Sequence, residues 1–318
     1  MNGPAIEADS LRKTYGRVTA LDGLSFQIPT GSVLGLLGPN GSGKTTAVSI
    51  LSTILRPDSG HARLCGLDAV ADAPAVRRVI GVTGQFAAVD ANLTGRENLT
   101  LIGRLSRVGR KQAVTRAGQL LEQFGLARAA GRLVRTYSGG MRRRLDVAAA
   151  LVHQPRLLFL DEPTTGLDPE SRIVLWSSIR DLVRDGTTLL LTTQYLEEAD
   201  ALADQILIID SGRVVDSGTP GQLKSRLGAV MFILGFASEA AAAQASQVLA
   251  AGGHAVDRAG PEVSMRTAAG SGAIAQVLRA LYGRAPDPVT VTVREPTLDD
   301  VFLALTGHAA TTDTERAA

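Results

Sequence analysis

The sequence predicts an α/β protein with a mostly parallel buried sheet, followed by a smaller α+β unit, on three observations. From Ala5 to about Gly221 short apolar runs alternate with helical patterns, the order in which a parallel sheet acquires its covering helices. Val33–Leu37, Leu157–Leu160 and Thr188–Leu191 are apolar on both faces and end in polar or glycine-rich residues, as strands buried on both sides do. Beyond about Arg226 the composition turns alanine-rich and aromatic-poor.

The elements follow in order. Val33–Leu37 is a central strand that runs into glycines, with a helix expected from Thr45 and Thr46. Ligands of such sheets gather at the carboxyl ends of the strands. Between Arg96 and Val152 the chain is strand-poor and arginine-rich, with Gln119, Leu120, Leu121 and Phe124 at helical spacing, which places a helical insertion at about 90–152. Leu157–Leu160 and Thr188–Leu191 are the next strands; between them Ile173, Trp176, Ile179 and Leu182 recur at helical spacing and are expected in the core. A hairpin of Ile206–Asp210 and Arg213–Asp216 around Ser211 and Gly212 closes a first domain, placed at 5–222. A second domain, at 228–307, reads strand 230–236, helix 239–251, strands 254–257 and 262–267, helix 272–283 and strand 289–294, the order of a split βαβ sandwich. Its last helix is expected at Thr297, where Thr297 and Asp300 stand at capping-box spacing after Pro296. Residues 308–318 are expected to form a frayed tail.

Composition narrows the function classes. Hydrophobic residues make up 45% and charged residues 20%, which excludes a disordered chain. A net charge of +2 is too small for a protein that lives on nucleic-acid phosphates. The single cysteine, Cys65, cannot form an intramolecular disulfide, and the four histidines are scattered, so a reducing cytoplasm is the expected compartment. The longest apolar stretch, Val230–Ala237, falls far short of the about 18 residues that a membrane span needs. Any service to a membrane must then run through another subunit.

Three motifs carry chemistry. Gly38-Pro39-Asn40-Gly41-Ser42-Gly43-Lys44-Thr45 fits the phosphate-loop pattern and lies between a buried strand and a helix. Its glycines let backbone N–H groups converge on phosphates, Lys44 neutralises them, the helix N-terminus at Thr45 and Thr46 adds its dipole, and the Thr45 hydroxyl can hold Mg²⁺. Arg156–Pro163 sets two carboxylates just beyond a buried strand: Asp161 as metal ligand and Glu162, one residue on, as candidate general base toward water. Tyr137-Ser138-Gly139-Gly140-Met141, followed by Arg142-Arg143-Arg144, is open to two readings. It is a second anion site at a helix start, or an ordinary cap at Ser138 with a solvated basic first turn.

Together these residues resemble the ATP-binding subunits of ABC transporters over roughly Ala5 to Gly221. The resemblance implies the ABC cassette fold: a phosphate-loop ATPase with a mostly parallel core sheet, an N-terminal antiparallel β part and the helical insertion. It implies ATP and Mg²⁺ as cofactors. Gly38, Pro39, Asn40, Gly41, Ser42, Gly43, Lys44, Thr45 and Thr46 then hold the phosphates, and Tyr15 is similar to the adenine-stacking residue. Gln85 is similar to the glutamine that joins metal to membrane subunit, Ser138-Gly139-Gly140 to the signature, and Leu167-Asp168 to the D-loop. Thr45, Gln85 and Asp161 become the metal ligands. In that family two cassettes pack head to tail, each ATP lying between the phosphate loop of one and the signature of the other. The resemblance therefore implies a homodimer with two composite sites, seated on the cytoplasmic face of the membrane through a separate permease subunit, with no nucleic acid.

Two positions depart from the common pattern. Met141 stands where the signature usually ends in glutamine, and Gln194 stands where a histidine is expected after Thr188–Thr193. Gln194 can donate a hydrogen bond to a γ-phosphate but cannot become cationic, so slow hydrolysis that depends on Glu162 is expected. Residues 84–90, 93–99, 138–146, 192–200 and the 294–302 segment are similar to the daunorubicin-type drug-resistance branch, in which Met141 and Gln194 are branch features. That branch implies export of hydrophobic drugs or antibiotics. The rival is a soluble ABC ATPase acting on a macromolecular complex, but such proteins carry long coiled-coil insertions or tandem cassettes, and this chain has one cassette. Cys65 and His61 read as packing and surface residues. For the C-terminal domain, a dimer-stabilising appendage and a small-molecule sensor both stay open.

Overall fold

The structure, a computed structural model, describes residues 3–84, 89–226, 229–268, 271–294 and 296–306. They fall into two compact units divided between Pro220 and Gly221.

In the first unit β1 (Ile6–Tyr15) and β2 (Val18–Ile28) form an antiparallel hairpin, β3 (Val33–Leu37) leads into α1 (Lys44–Leu51), and β4 (Ser59–Leu64), β5 (Leu67–Asp68), α2 (Ala73–Val79) and β6 (Ile80–Thr83) follow. The insertion supplies α3 (Gly95–Leu105), α4 (Arg110–Gln123) and α5 (Gly139–Ala150). The chain then returns through β7 (Leu157–Asp161), α6 (Pro169–Arg184), β8 (Thr188–Thr193), α7 (Leu196–Leu202), β9 (Gln205–Asp210) and β10 (Arg213–Gly218). Two sheets result. One is antiparallel in the order β2-β1-β4-β5; the other runs β10-β9-β3-β8-β7-β6 and is parallel except for its β9–β10 hairpin. Ser211 and Gly212, both at positive φ, make that hairpin's two-residue turn.

Every residue of β3, β7 and β8 is buried, which explains why these runs lack alternation. Between the sheets Leu34, Leu36, Phe159 and Leu190 pack with Ala47, Val48 and Leu51 of α1 and with Ile6, Leu24 and Leu64 of the antiparallel sheet. On the other face a Cβ at Gly35 would stand 3.1 Å from Ala203 Cβ, so the glycine lets the end of α7 lie close against β3. Register then decides where chemistry can occur. Leu37 lies opposite Thr193, and Thr192 opposite Asp161, so β3, β8 and β7 end side by side, with neighbouring strands about 4.8 Å apart.

One helix face differs from expectation. On α6 the buried positions are Leu175, Ser178, Ile179 and Leu182, whereas Ile173 is 63% exposed and Trp176 half-buried. Ile179 and Leu182 are buried as expected, while Trp176 lies at the margin of the core, where its Nε1 donates to Glu198 Oε1 at 3.1 Å.

The boundary falls after the first residue of α8 (Pro220–Arg226), and the second unit continues through β11 (Ala229–Gly235), α9 (Glu239–Ala251), β12 (Val256–Ala259), β13 (Glu262–Ala268), α10 (Ser271–Leu281), β14 (Thr290–Arg294) and α11 (Leu298–Thr306). Its sheet, β12-β13-β11-β14, is antiparallel throughout and has the split βαβ order. Phe232, Leu234, Phe236, Leu249, Val263, Met265, Val277 and Leu281 form a core of its own. Thr297 N donates to Asp300 Oδ2 at 2.8 Å and Asp300 N to Thr297 Oγ1 at 3.3 Å, a complete capping box for α11. The tail 308–318 lies outside the described residues.

Candidate nucleotide site

The phosphate loop turns from β3 into α1 over residues 38–43, and its backbone is fixed by close approach. A Cβ at Gly38 would run into the Ile209 carbonyl and Ser42 Oγ, and one at Gly43, at φ 107°, into the Ala20 carbonyl. Gly41 sits at φ 82° for want of a side chain. Lys44 is 6% exposed, and its Nζ donates to Gly38 O at 2.6 Å and Pro39 O at 3.0 Å. Burial pulls the Lys44 ammonium below the usual lysine range, opposed by the Glu162 and Asp161 carboxylates. β3 and β7 both pair in parallel with β8, so the loop that leaves β3 and the carboxylates at the end of β7 converge. Ser42 Oγ is buried without a hydrogen-bond partner among the described residues. Pro39, Asn40, Thr45 and Thr46 complete the turn and the first positions of α1, with Thr45 exposed.

At the end of β7 Asp161 is buried, and Thr192 Oγ1 donates to its Oδ1. Glu162 stands at φ 46°, in the left-handed region a non-glycine residue occupies at a cost. Its N–H donates to Thr192 O at 3.0 Å, and Thr165 Oγ1 donates to its Oε2 at 3.3 Å. Gln194 follows β8 directly, half-buried at the bend before α7. The register of the parallel strands thus brings Lys44, Asp161, Glu162 and Gln194 to one sheet edge.

The three arginines after the signature do not make a uniformly solvated face. Arg142 is exposed, but Arg144 Nη1 donates to Phe124 O at 3.0 Å and Arg143 turns inward. Arg143 Nε donates to Pro163 O at 2.8 Å, Nη1 to Gly84 O at 2.9 Å and Asp146 Oδ2 at 3.2 Å, and Nη2 to Asp161 O at 2.9 Å and Glu162 O at 3.1 Å. The reason is that α5 lays this side chain across the end of β7.

Ser138 caps α5, its Oγ accepting from Met141 N at 3.2 Å. Ser138 and Gly139 are exposed, while Gly140 is buried where a Cβ would run into Ser171 of α6. Asp168 caps α6: Oδ1 accepts from Ser171 N at 2.8 Å and Oδ2 from Ser171 Oγ at 2.8 Å, bonds that hold its carboxyl below the usual carboxylate range. Signature and D-loop therefore meet at Ser171. Tyr15 ends β1 at the hairpin tip, 50% exposed, with Lys13 Nζ 5.9 Å from its ring centre. Gln85 lies outside the described residues.

Sequence reasoning missed Arg143, Thr192 and Glu198. Thr192 was findable, because parallel pairing sets it opposite Asp161. Glu198, fully buried on α7, and Arg143 look like surface charges until their partners are known.

Comparison with known proteins agrees with this geometry. The ABC transporter family matches residues 21–165. The daunorubicin resistance ATP-binding protein DrrA3 of Streptomyces coeruleorubidus is 50% identical over 309 residues, 96% of this chain and 97% of the relative. The daunorubicin/doxorubicin resistance ATP-binding protein DrrA of Streptomyces peucetius is 49% identical over 96% of this chain and 93% of its own. Among solved structures, the ATP-binding cassette MJ0796, a dimer in a post-hydrolysis state bound to ADP and Pi, superposes with a TM-score of 0.61 at 26% identity, over 67% of this chain and 98% of that one. With relatives of this identity matched end to end on a cassette fold with a phosphate loop, the chain belongs to the ABC transporter ATP-binding proteins, an ATPase family, and to their daunorubicin-resistance branch.

Proposed function

We propose that this chain is the ATP-hydrolysing motor subunit of a bacterial exporter of hydrophobic drugs or antibiotics, acting as a head-to-tail homodimer on a separate permease at the cytoplasmic face of the membrane. The observation that carries it is the division of the site. Lys44, Asp161, Glu162 and Gln194 share one sheet edge, while Ser138 and Gly139 stand exposed at the start of α5 with Gly140 against Ser171. A second copy is then the source of the signature that completes each site. Among the described residues no helix is long and apolar enough to cross a membrane, so passage of a cargo requires a partner that spans it.

The residues fit MgATP. The buried Ser42 Oγ lacks a partner among the described residues, the α1 N-terminus and loop amides suit a phosphate, and Lys44 is the cation at that point. Thr45 and Asp161 offer an alcohol and a carboxylate, hard oxygen donors of the kind Mg²⁺ takes beside phosphate oxygens, and Gln85 would join them. When bound, the ion neutralises charge on the terminal phosphates. Glu162 accepts the proton of the attacking water, Gln194 donates to the γ-phosphate, Tyr15 stacks on adenine and Asp168 orders the turn facing the second cassette. The relatives' names carry drug resistance, and this chain's likeness to them supports the choice of cargo class.

The test is copurification from gently solubilised native membranes. A polytopic membrane protein in near-equal amount is the expected companion; recovery solely with ribosomes or nucleic-acid enzymes would transfer the chain to the macromolecule-acting class. For the chemistry, Glu162→Gln should lower MgATP turnover by about 10²-fold or more while ATP still binds. Parent-like turnover in that variant removes the general-base role.

A further inference from the structure

Arg143 occupies a position that the ATP-site motifs do not include, yet three of its five hydrogen bonds end on the Asp161–Pro163 turn. A guanidinium has five N–H bonds in a rigid planar fork. Here Nε, Nη1 and Nη2 find five acceptors: the carbonyls of Asp161, Glu162 and Pro163, that of Gly84, and the Asp146 carboxylate. The side chain is 14% exposed and its counter-charge Asp146 is 2% exposed, so the group is buried as a paired cation. Four of the five bonds go to backbone. They end on three consecutive residues of the turn that carries the metal ligand and the general base, and on the residue just before Gln85.

A second observation points the same way. Glu162 is held at φ 46°, and such strain persists where the surroundings over-determine it. Thr192 restrains the turn from β8 by accepting Glu162 N–H, and Arg143 restrains it from α5 by donating to Glu162 O. The backbone on both sides of the Glu162 Cα is therefore pinned, once by a strand and once by the helix that starts at the signature.

We propose that Arg143 is a positioning residue for hydrolysis, tying the signature helix to the Asp161–Pro163 turn and holding Glu162 in its left-handed backbone conformation. The proposal rests on the reading of Glu162 as general base. Lysine cannot replace Arg143 here, because three donors on a point charge do not span carbonyls of three successive residues and Gly84.

The experiment uses the full chain and measures steady-state MgATP turnover, equilibrium ATP binding and thermal unfolding for the parent, Arg143→Met and Arg143→Lys, each with Glu162 and with Glu162→Gln. With Glu162 present, Arg143→Met should lose about 10- to 100-fold in kcat, as misplacement of a catalytic group does, with the KM and Kd for ATP within about twofold. Arg143→Lys should fall between Met and the parent. In the Glu162→Gln background the same substitutions should leave the residual rate unchanged, since the group they position is gone. A folded Arg143→Met with parent kcat, or equal losses in both backgrounds, overturns the proposal. If Arg143→Met does not fold, Arg143→Lys decides by the same two criteria. A parent that turns over no ATP overturns the motor-subunit reading and this inference together, whereas an active parent with an indifferent Arg143 overturns this inference alone.

Discussion

Glu198 shows how a residue outside the nucleotide-site motifs contributes to the response to pH. It is fully buried on α7 and accepts from Trp176 Nε1, and burial lifts its carboxyl above the ordinary 4.5. Hydrogen bonding from Thr193 and Trp176, and then the Arg172 cation, oppose that lift without cancelling it. A raised folded value means the native state keeps its proton at a pH where the unfolded chain has released it. This contribution to stability is therefore full at low pH and is lost as pH rises from 4.5 through the folded value. Glu198→Gln keeps an oxygen for Trp176 and removes the titration. The melting temperature of the parent minus that of the variant should become steadily more negative from pH 4.5 toward neutrality, and a flat difference would contradict the assignment. At this scale the motif residues were legible and their supports were not. Gly38 to Thr45 and Asp161-Glu162 are contiguous and carry their chemistry in their order, whereas the carbonyls that Arg143 binds lie 18 to 59 residues away in the chain and the Trp176 partner of Glu198 lies 22 away.

Elements were legible where burial is total or a cap is local, and obscured where a helix face is set by a polar contact. β3, β7 and β8 announce themselves by unbroken apolar runs, and the Thr297–Asp300 capping box stands at the start of α11 where its spacing put it. On α6 Ile179 and Leu182 are buried as expected, whereas Ile173 is exposed and Trp176 sits at the core's margin as a donor to Glu198. The α5–α6 contact makes a sharper statement about the signature. Gly140 lies where a Cβ would overlap both Oγ and Cβ of Ser171, and Ser171 is in turn held by Asp168. Neither helix can yield without disturbing a cap. Gly140→Ala should cost about 1–3 kcal/mol of stability through overpacking, and Ser171→Gly in the same chain should restore most of that loss by removing both opposing atoms. Chemical denaturation of the two single variants and the double reads the coupling directly; additive losses would mean that the two helices do not meet as described.

On the scale of the whole molecule, each unit has its own sheet and its own core, and the composition shift near Arg226 falls close to the boundary between them. The strand and helix order beyond residue 229 was legible because the elements are short and set apart by turn glycines, Gly253 after α9, Gly260 between β12 and β13 and Gly283 after α10, all at positive φ. What the order alone did not reveal is the exposed edge. Val289, Val291 and Val293, at the β14 edge of the sheet, are 70%, 41% and 46% exposed, the kind of edge that pairs with other chains when left uncovered. The sheet still closes around Phe232, Leu234, Val263 and Met265, with α9 and α10 burying Leu249, Val277 and Leu281 against them. A core of this kind in a segment of about 90 residues is enough for autonomous folding. Residues 221–306 produced alone should therefore unfold in one cooperative transition. Thr297→Ala, which deletes the α11 cap, should cost about 1 kcal/mol and lower that transition by about 4–8 °C. The same substitution in the full chain should leave MgATP turnover within about twofold of the parent, because the capping box belongs to the second unit and every residue assigned to the nucleotide site belongs to the first. Non-cooperative melting of the isolated segment would show that the second unit depends on the first for its fold.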